Sequence, residues 1–268
     1  MPEELLRLAA GAAREAGALL ATRFRQPATG VAAKSSATDP VTDADRDAEA
    51  LLRERIGASR PGDAILGEEG GAVAGESGLR WVIDPLDGTV NFLYGLPTWS
   101  VSVACEDETG GVVGVVFDPT ADELFAAVRG AGATLNGRPI AASDCGRLDH
   151  ALIATGFSYR PDERAAQAGT VARILPEVRD IRRAGSAALD LCSVACGRVD
   201  GFYEIGIRHW DRAAGMLLVT ESGGRSSPLP AIGGSGDGVL AAGAALHDPL
   251  RAAVLAALDG SPPENPLH

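Results

Sequence analysis

No stretch of the chain stays apolar for the roughly 20 residues that a membrane-spanning helix requires, which excludes a helical membrane span. The first residues, Met1-Pro2-Glu3-Glu4, are acidic and lead into an alanine-rich amphipathic segment. They lack the basic start and apolar core of a secretory signal, so the expected location is the cytoplasm. Positive charge is also short: 24 Lys and Arg stand against 36 Asp and Glu, a formal net charge of -12. That balance excludes a general electrostatic grip on nucleic acid, and a chain this acidic needs a local cation to handle phosphate. Cysteine is sparse, with Cys105, Cys145, Cys192 and Cys196 showing no zinc spacing. Cys192 and Cys196 lie four apart on a helix-like run, unlike a Cys-x-x-Cys pair, and all four read as reduced thiols. No internal repeat is present.

What the chain does have is 268 residues, 46% hydrophobic and 22% charged, which is enough for a sizeable core in one large domain or two intimate subdomains. Leu5, Leu8, Ala9, Ala12, Ala16, Leu19, Leu20 and Phe24 recur at helical spacing and predict an amphipathic helix over 3–25. A polar linker follows, and Ala48, Leu51, Leu52 and Ile56 then predict a helix over 43–56, with Thr42 or Asp43 as its N-cap. Ala64-Ile65-Leu66 reads as a short strand entering the glycine-rich Gly67-Glu68-Glu69-Gly70-Gly71, expected to be a mobile loop or turn. The runs 99–106, 112–117 and 123–128 predict an antiparallel meander, and Asn136-Gly137 signals a hairpin. Beyond about residue 147 the pattern alternates. Strands are expected over 151–155, 201–205 and 239–242, and helices over 161–178, 186–196, 211–222 and 249–258. The expectation is α+β followed by α/β, with an N-terminal part (1–147), a C-terminal part (148–268) and a disordered tail over 260–268.

The stretch Trp81 to Phe92 carries the most chemistry. Trp81-Val82-Ile83 reads as a buried strand ending in two carboxylates, Asp84 and Asp87, around Pro85. Charges beside a hydrophobic strand are costly unless a cation or hydrogen bonds compensate them, and a hard divalent cation such as Mg²⁺ suits them. Gly88 permits a close backbone approach and Thr89 presents a hydroxyl. Two further acidic clusters are Glu68-Glu69, which could also be a solvated loop, and Asp211 behind Trp210, which could also be an N-cap. Asp45 reads equally as a helix cap.

Gly67-Glu68-Glu69, Asp84-Pro85-Leu86-Asp87-Gly88-Thr89-Val90-Asn91-Phe92 and Trp210-Asp211-Arg212-Ala213-Ala214-Gly215 resemble, in order and spacing, the signatures of the inositol monophosphatase family, lithium-sensitive Mg²⁺-dependent sugar phosphatases. Lys34-Ser35 through Asp45 and Arg183 to Ala188 extend the likeness over nearly the whole chain. The resemblance implies a layered α-β-α-β-α sandwich and two or three Mg²⁺ per site. Glu68, Asp84 and the Leu86 carbonyl would hold a first ion; Asp84, Asp87 and Asp211 a second; Glu68 with water a weaker third. It further implies that Thr89 and Asp45 pair by a hydrogen bond and, with Glu68, activate the attacking water. Phosphate would sit over the Gly88 and Thr89 amides. Gly185, Ser186, Ala187 and Glu204 would contact the sugar, with Asp87 touching both metal and substrate. Lys34 would be a cation at the site's edge, and His209 reads as packing.

The implied reaction is Mg²⁺-dependent hydrolysis of inositol-1-phosphate to inositol and phosphate, the partner being a small-molecule polyol phosphate and not nucleic acid or a membrane, in a homodimer. Histidinol phosphate, fructose 1,6-bisphosphate and 3′-phosphoadenosine phosphates are the competing substrates of the same fold. A different class of reading is a non-catalytic regulatory protein that keeps the fold and binds RNA polymerase or RNA. Its mark would be loss of Glu68, Asp84, Asp87 or Asp211, and all four are present.

Overall fold

A computed structural model describes residues 2–34, 40–231 and 238–260. The chain opens with α1 (Pro2–Arg23), where Glu3 and Glu4 in the first turn and Arg23 in the last complement the helix dipole. A two-stranded ribbon, β1 (Ala32–Ala33) and β2 (Pro40–Val41), leads to α2 (Asp43–Ser59), which is capped by Thr42. Then come β3 (Ala64–Gly67), β4 (Gly71–Val73), β5 (Arg80–Asp87), the short α3 (Thr89–Leu93), β6 (Ser100–Asp107), β7 (Gly110–Asp118), β8 (Glu123–Val128), β9 (Gly132–Leu135) and β10 (Arg138–Pro139). The second half supplies β11 (Leu152–Thr155), α4 (Pro161–Ile174), β12 (Asp180–Arg182), α5 (Ala187–Ala195), β13 (Gly201–Glu204), α6 (His209–Glu221), β14 (Gly224–Leu229), β15 (Gly238–Gly243) and α7 (His247–Leu258).

Strands β3 to β10 form an eight-stranded sheet in the order β10-β9-β8-β7-β6-β5-β3-β4, antiparallel except where β3 runs beside β5. The other main sheet has five strands, in the order β12-β11-β13-β15-β14. Alternation along β5 shows how the layers stack. Trp81 and Ile83 face the core built with α1 and α2, whereas Val82 faces the core shared with α5 and α6. On the far side, Ile153, Tyr203 and Leu240 of the second sheet pack with Ile174 of α4 and Leu250 and Val254 of α7. The result is helix, sheet, helix, sheet, helix, the five-layer sandwich expected. Among the described residues no helix is long and apolar enough to cross a membrane.

The meander and the Asn136-Gly137 hairpin stand as expected. Both turn residues have positive φ, 49° and 75°, as a two-residue turn between Leu135 and Arg138 requires. Of the loop or turn expected at Glu68, the structure has the turn, a tight β3–β4 hairpin with Gly67 paired to Gly71. Several details differ. The helix from Pro161 ends at Ile174 and tightens into a 3₁₀ turn, Leu175–Glu177, where Pro176 has no amide to donate back. The second sheet is mixed: β11 runs parallel to β12 and β13, but β15 is antiparallel to both β13 and β14. Strands β4, β12 and β14 were not expected, because each is short or polar and none shows a buried alternating pattern. Residues 261–268 of the expected disordered tail lie outside the described residues.

Helix α6 crosses β7 of the eight-stranded sheet at close range. A Cβ on Gly114 would lie 2.9 Å from the Ala214 carbonyl and 3.1 Å from its Cα. Gly114→Ala is therefore expected to lower the unfolding free energy by about 1–3 kcal/mol through overpacking. Urea denaturation measures it, and an unchanged midpoint would refute the close approach.

Candidate active site

The carboxylates at the end of β5 share one face of the strand through a change in its register. Asp84 pairs with Ser102 of β6, and Asp87 with Ser100, so three residue steps on β5 match two on β6. In a regular strand, residues three apart point to opposite faces. The extra residue in this bulge turns both acids to the side of α5 and α6. Pro85 sits in the bulge, where a missing amide costs no ladder hydrogen bond. The Leu86 amide donates to Asp84 Oδ1 at 3.0 Å, and the Leu86 carbonyl oxygen lies 3.1 Å from Thr89 Oγ1.

Four helices begin at this point, and each brings a site residue in its first turn. Gly88, with φ 98°, caps α3 and lets the chain reverse directly into Thr89. A side chain there would meet the Thr98 carbonyl at 2.9 Å. From α2, Asp45 is fully buried and uses its two oxygens differently. Oδ2 accepts from the Thr42 amide at 2.9 Å to close a capping box, while Oδ1 accepts from Thr89 Oγ1 at 3.0 Å. Capping and site roles therefore coexist in Asp45. Ser186, the N-cap of α5, donates to Asp87 Oδ2 at 2.6 Å, and the Ala188 amide donates to the same oxygen at 2.7 Å. From α6, Asp211 accepts from the Arg208 amide at 2.7 Å, so it too is a capping residue turned toward the other acids.

Glu68, at the start of the β3–β4 turn, is paired with Lys34 Nζ at 2.8 Å, and Glu69 contacts the same ammonium at 2.5 Å. Burial works against the Lys34 charge, but attraction to Glu68 and Glu69 outweighs it and raises the lysine pKa. The acids are pushed upward. Burial lifts Asp84 well above the usual carboxylate range, with further repulsion from Glu68, Asp87 and Asp211. Burial likewise raises Asp211, which is repelled by Glu68 and Asp87. Burial raises Glu68 and Asp87 as well, against the opposing pull of Lys34 on the first and the Ser186 and Ala188 hydrogen bonds on the second.

Structure thus brings Glu68, Asp84, Asp87 and Asp211 into mutual repulsion, with the Thr89–Asp45 pair beside them. Each of the four is tied to a different protein group. Among the described residues no three His, Cys, Asp or Glu side chains stand in ligating geometry around one point. The donor set is nevertheless all oxygen, four carboxylates and the Leu86 carbonyl, and its raised pKa values express an excess of buried negative charge. A hard divalent cation fits that set.

Among the residues that the resemblance assigns to the sugar, Gly185 has φ 96°, and its turn is fastened by Asn91, whose Nδ2 donates to the Ala184 carbonyl at 2.9 Å and the Thr98 carbonyl at 2.7 Å. Glu204 ends β13 against Gly156, where a Cβ would lie 2.0 Å from its carboxylate. Burial pushes Glu204 up to about 7. Asp190, one turn into α5, is buried and raised well above its usual range by burial and by repulsion from Glu204 and Asp87. Sequence reading assigned no role to Asp190, Asn91 or Arg183, although Asn91 and Arg183 lie within the motifs that carry the resemblance and Asp190 lies one helical turn beyond Ser186. His209 turns away to Glu106 Oε2 at 3.0 Å, an oxygen that Arg80 also contacts at 2.8 Å, in keeping with a packing role.

Comparison with known proteins agrees with this geometry. The sequence model of the inositol monophosphatase family matches residues 1–253. The chain is 47% identical over 234 residues to the inositol-1-monophosphatase SuhB of Mycobacterium tuberculosis, covering 84% of this chain and 81% of that protein. It is 46% identical over 222 residues to the Nus factor SuhB of Escherichia coli, covering 82% and 83%. The solved inositol monophosphatase of Anabaena (Nostoc) sp. PCC 7120 superposes with a TM-score of 0.81 at 37% identity, covering 98% of each chain. By sequence and by fold, this chain belongs to the inositol monophosphatase family.

Proposed function

We propose that the chain is a Mg²⁺-dependent phosphomonoesterase that hydrolyses inositol-1-phosphate to inositol and phosphate. The observation that carries this reading is the Thr89–Asp45 hydrogen bond of 3.0 Å beside four mutually repelling acids. Glu68, Asp84 and the Leu86 carbonyl would hold one ion; Asp84, Asp87 and Asp211 a second; Glu68 a weaker third. When bound, Mg²⁺ supplies the charge that offsets the carboxylates, polarises the phosphoryl oxygens and makes water more acidic.

The chain's own groups divide the remaining work. Asp45 accepts the Thr89 hydroxyl hydrogen and so leaves a Thr89 lone pair free to accept one from the attacking water. Glu68 is the acid placed to take up the proton. Amides of the first turn of α3, at Gly88 and Thr89, face phosphate oxygens, and the four converging helix N-termini favour an anion there. A water oxygen bonds to phosphorus and its proton passes to Glu68, the ester P–O bond breaks, and the leaving alkoxide takes a proton from a solvent water. Gly185, Ser186, Ala187 and Glu204 hold the sugar hydroxyls, and Asp87 reaches both phosphate and metal. The division into 1–147 and 148–268 has a functional sense in this scheme: the first part supplies most ligands, and the second supplies Asp211 and the sugar contacts. Li⁺ inhibition, a homodimer and a cytoplasmic location extend the proposal by family resemblance.

One observation favours a second substrate. Asp190 beside Glu204 gives the sugar end two acids, which would suit a cationic alcohol such as histidinol phosphate. A panel of phosphate esters assayed with Mg²⁺ separates the readings, the preferred ester being the one with the highest kcat/KM. A higher value for histidinol phosphate than for inositol-1-phosphate would overturn the substrate assignment. Mg²⁺-dependent release from neither would favour a regulatory role of the kind the Escherichia coli relative's name denotes.

Two variants test the roles. Asp87→Asn is expected to abolish turnover and weaken Mg²⁺ binding, whereas Thr89→Ala should lower kcat by about 10²–10⁴-fold with Mg²⁺ affinity nearly intact. Equal loss of Mg²⁺ affinity in both, by calorimetry, would refute the division.

The raised acids also set a pH dependence. A group with a raised folded pKa binds more protons folded than unfolded, so its contribution to stability is lost as pH rises through the folded value. Mg²⁺ competes with those protons. The increase in Tm on adding Mg²⁺ should therefore grow as pH rises above the usual carboxylate range, as thermal denaturation with Mg²⁺ or chelator would show; a constant increment would count against these acids as the ligands.

A further inference from the structure

We propose that Glu49 is a positioning residue of the site: with Arg53, it fixes the turn that carries Glu68 to the same helix that holds Asp45. Glu49 is 2% exposed, yet both its oxygens are spent on main chain of the β3–β4 turn. Oε2 accepts from the Glu69 amide at 2.7 Å, and Oε1 accepts from the Gly70 amide at 2.7 Å. Arg53, one helical turn further on, donates Nε to Glu49 Oε1 at 2.8 Å and Nη2 to the Gly71 carbonyl at 2.6 Å. Three hydrogen bonds thus bind three consecutive residues after Glu68 to α2, and the Arg53–Glu49 bond links the two side chains that make them.

The glycines of the turn make sense in this light. A Cβ on Gly67 would lie 2.6 Å from Glu49 Oε1, and one on Gly70 would lie 2.7 Å from the same atom. A buried carboxylate held by two amides and a guanidinium cannot swing aside as an exposed one would, so the turn approaches α2 only where it has no side chain. Gly67 and Gly70 bracket Glu68 and Glu69 because the clamp lies on that side.

Asp45 and Glu49 are four apart on α2 and therefore share a face. Asp45 sets Thr89, and Glu49 sets Glu68. The two groups assigned to water activation are hung from one helix turn, and their spacing is that of a rigid helix rather than of two independent loops. Lys34 also touches Glu68 and Glu69, but through their side chains alone.

This inference rests on the proposed role of Glu68, and its test includes a readout independent of that role. In the full chain, Glu49→Gln keeps the volume but turns an NH₂ group toward a backbone amide. Metal-free hydrogen exchange should show the Glu69 and Gly70 amides losing protection by about tenfold or more, as expected for loss of charge-assisted hydrogen bonds. Calorimetry should show Mg²⁺ binding weakened by at least about tenfold, while KM for the ester at saturating Mg²⁺ is unchanged. Arg53→Met, which leaves Glu49 in place, should move both measurements the same way by a smaller factor and serves if Glu49→Gln does not fold. Retained protection at Glu69 and Gly70, or an unchanged Mg²⁺ affinity, would overturn the proposal. Absence of Mg²⁺-dependent phosphatase activity in the unaltered protein would instead overturn the functional reading, and hydrogen exchange would still decide whether the clamp exists.

Discussion

Repulsion among four carboxylates, two buried and two half-buried, is the constraint around which the rest is built. Glu68, Asp84, Asp87 and Asp211 come from the β3–β4 turn, β5 and α6; burial raises all four, and repulsion from the others adds to it at Asp84 and Asp211. Such a cluster destabilises the fold that forms it, so the elements carrying it must be held by something stronger elsewhere. Strand β5 meets that need by being buried on both faces, Trp81 and Ile83 in one core and Val82 in the other. Burying those side chains contributes about 1.5–3 kcal/mol each. The apolar run and the acids are therefore parts of one arrangement, in which the first half of the strand offsets the electrostatic cost of the second.

Helix N-termini provide the other compensation. Asp45, Thr89, Ser186 and Asp211 all lie at the start of a helix, and three of them make capping hydrogen bonds. The partial positive charge at a helix N-terminus favours nearby anions, so the same geometry eases the burial of the acids and would suit the phosphate of the proposed substrate. It also explains why capping and catalysis could not be told apart in the sequence for Asp45 and Asp211. They are not alternatives: a carboxylate has two oxygens, and Asp45 gives one to the cap and the other to Thr89.

Long-range ties then bring the halves together. Asp87 is held by Ser186 and the Ala188 amide from about a hundred residues away in the chain. Asn91 fastens the Gly185 turn, and Gly114 lets α6 settle onto β7 so that Asp211 reaches the acids. Glycine recurs at these points because backbone has to approach backbone or a fixed side chain, and a Cβ would hold them apart.

Much of the fold was legible in local pattern. Helical spacing from Leu5 to Phe24, the meander and the Asn136-Gly137 hairpin follow from period and turn chemistry, which act within a few residues. The acids and their motifs were legible too, because residue types at fixed spacing survive without any knowledge of contacts. Edge strands such as β14, with one buried apolar side chain at Leu229, gave no signal because their pairing is decided by the neighbouring strand rather than by their own alternation. The bulge that turns Asp84 and Asp87 to one face, the grip of Glu49 on the Glu68 turn and the meeting of Asp190 with Glu204 belong to tertiary structure alone. Sequence determined which groups the chain could bring to a site; only packing of the two sheets around α5 and α6 decided which of them meet, because burial and hydrogen bonding between distant segments have no local period to betray them.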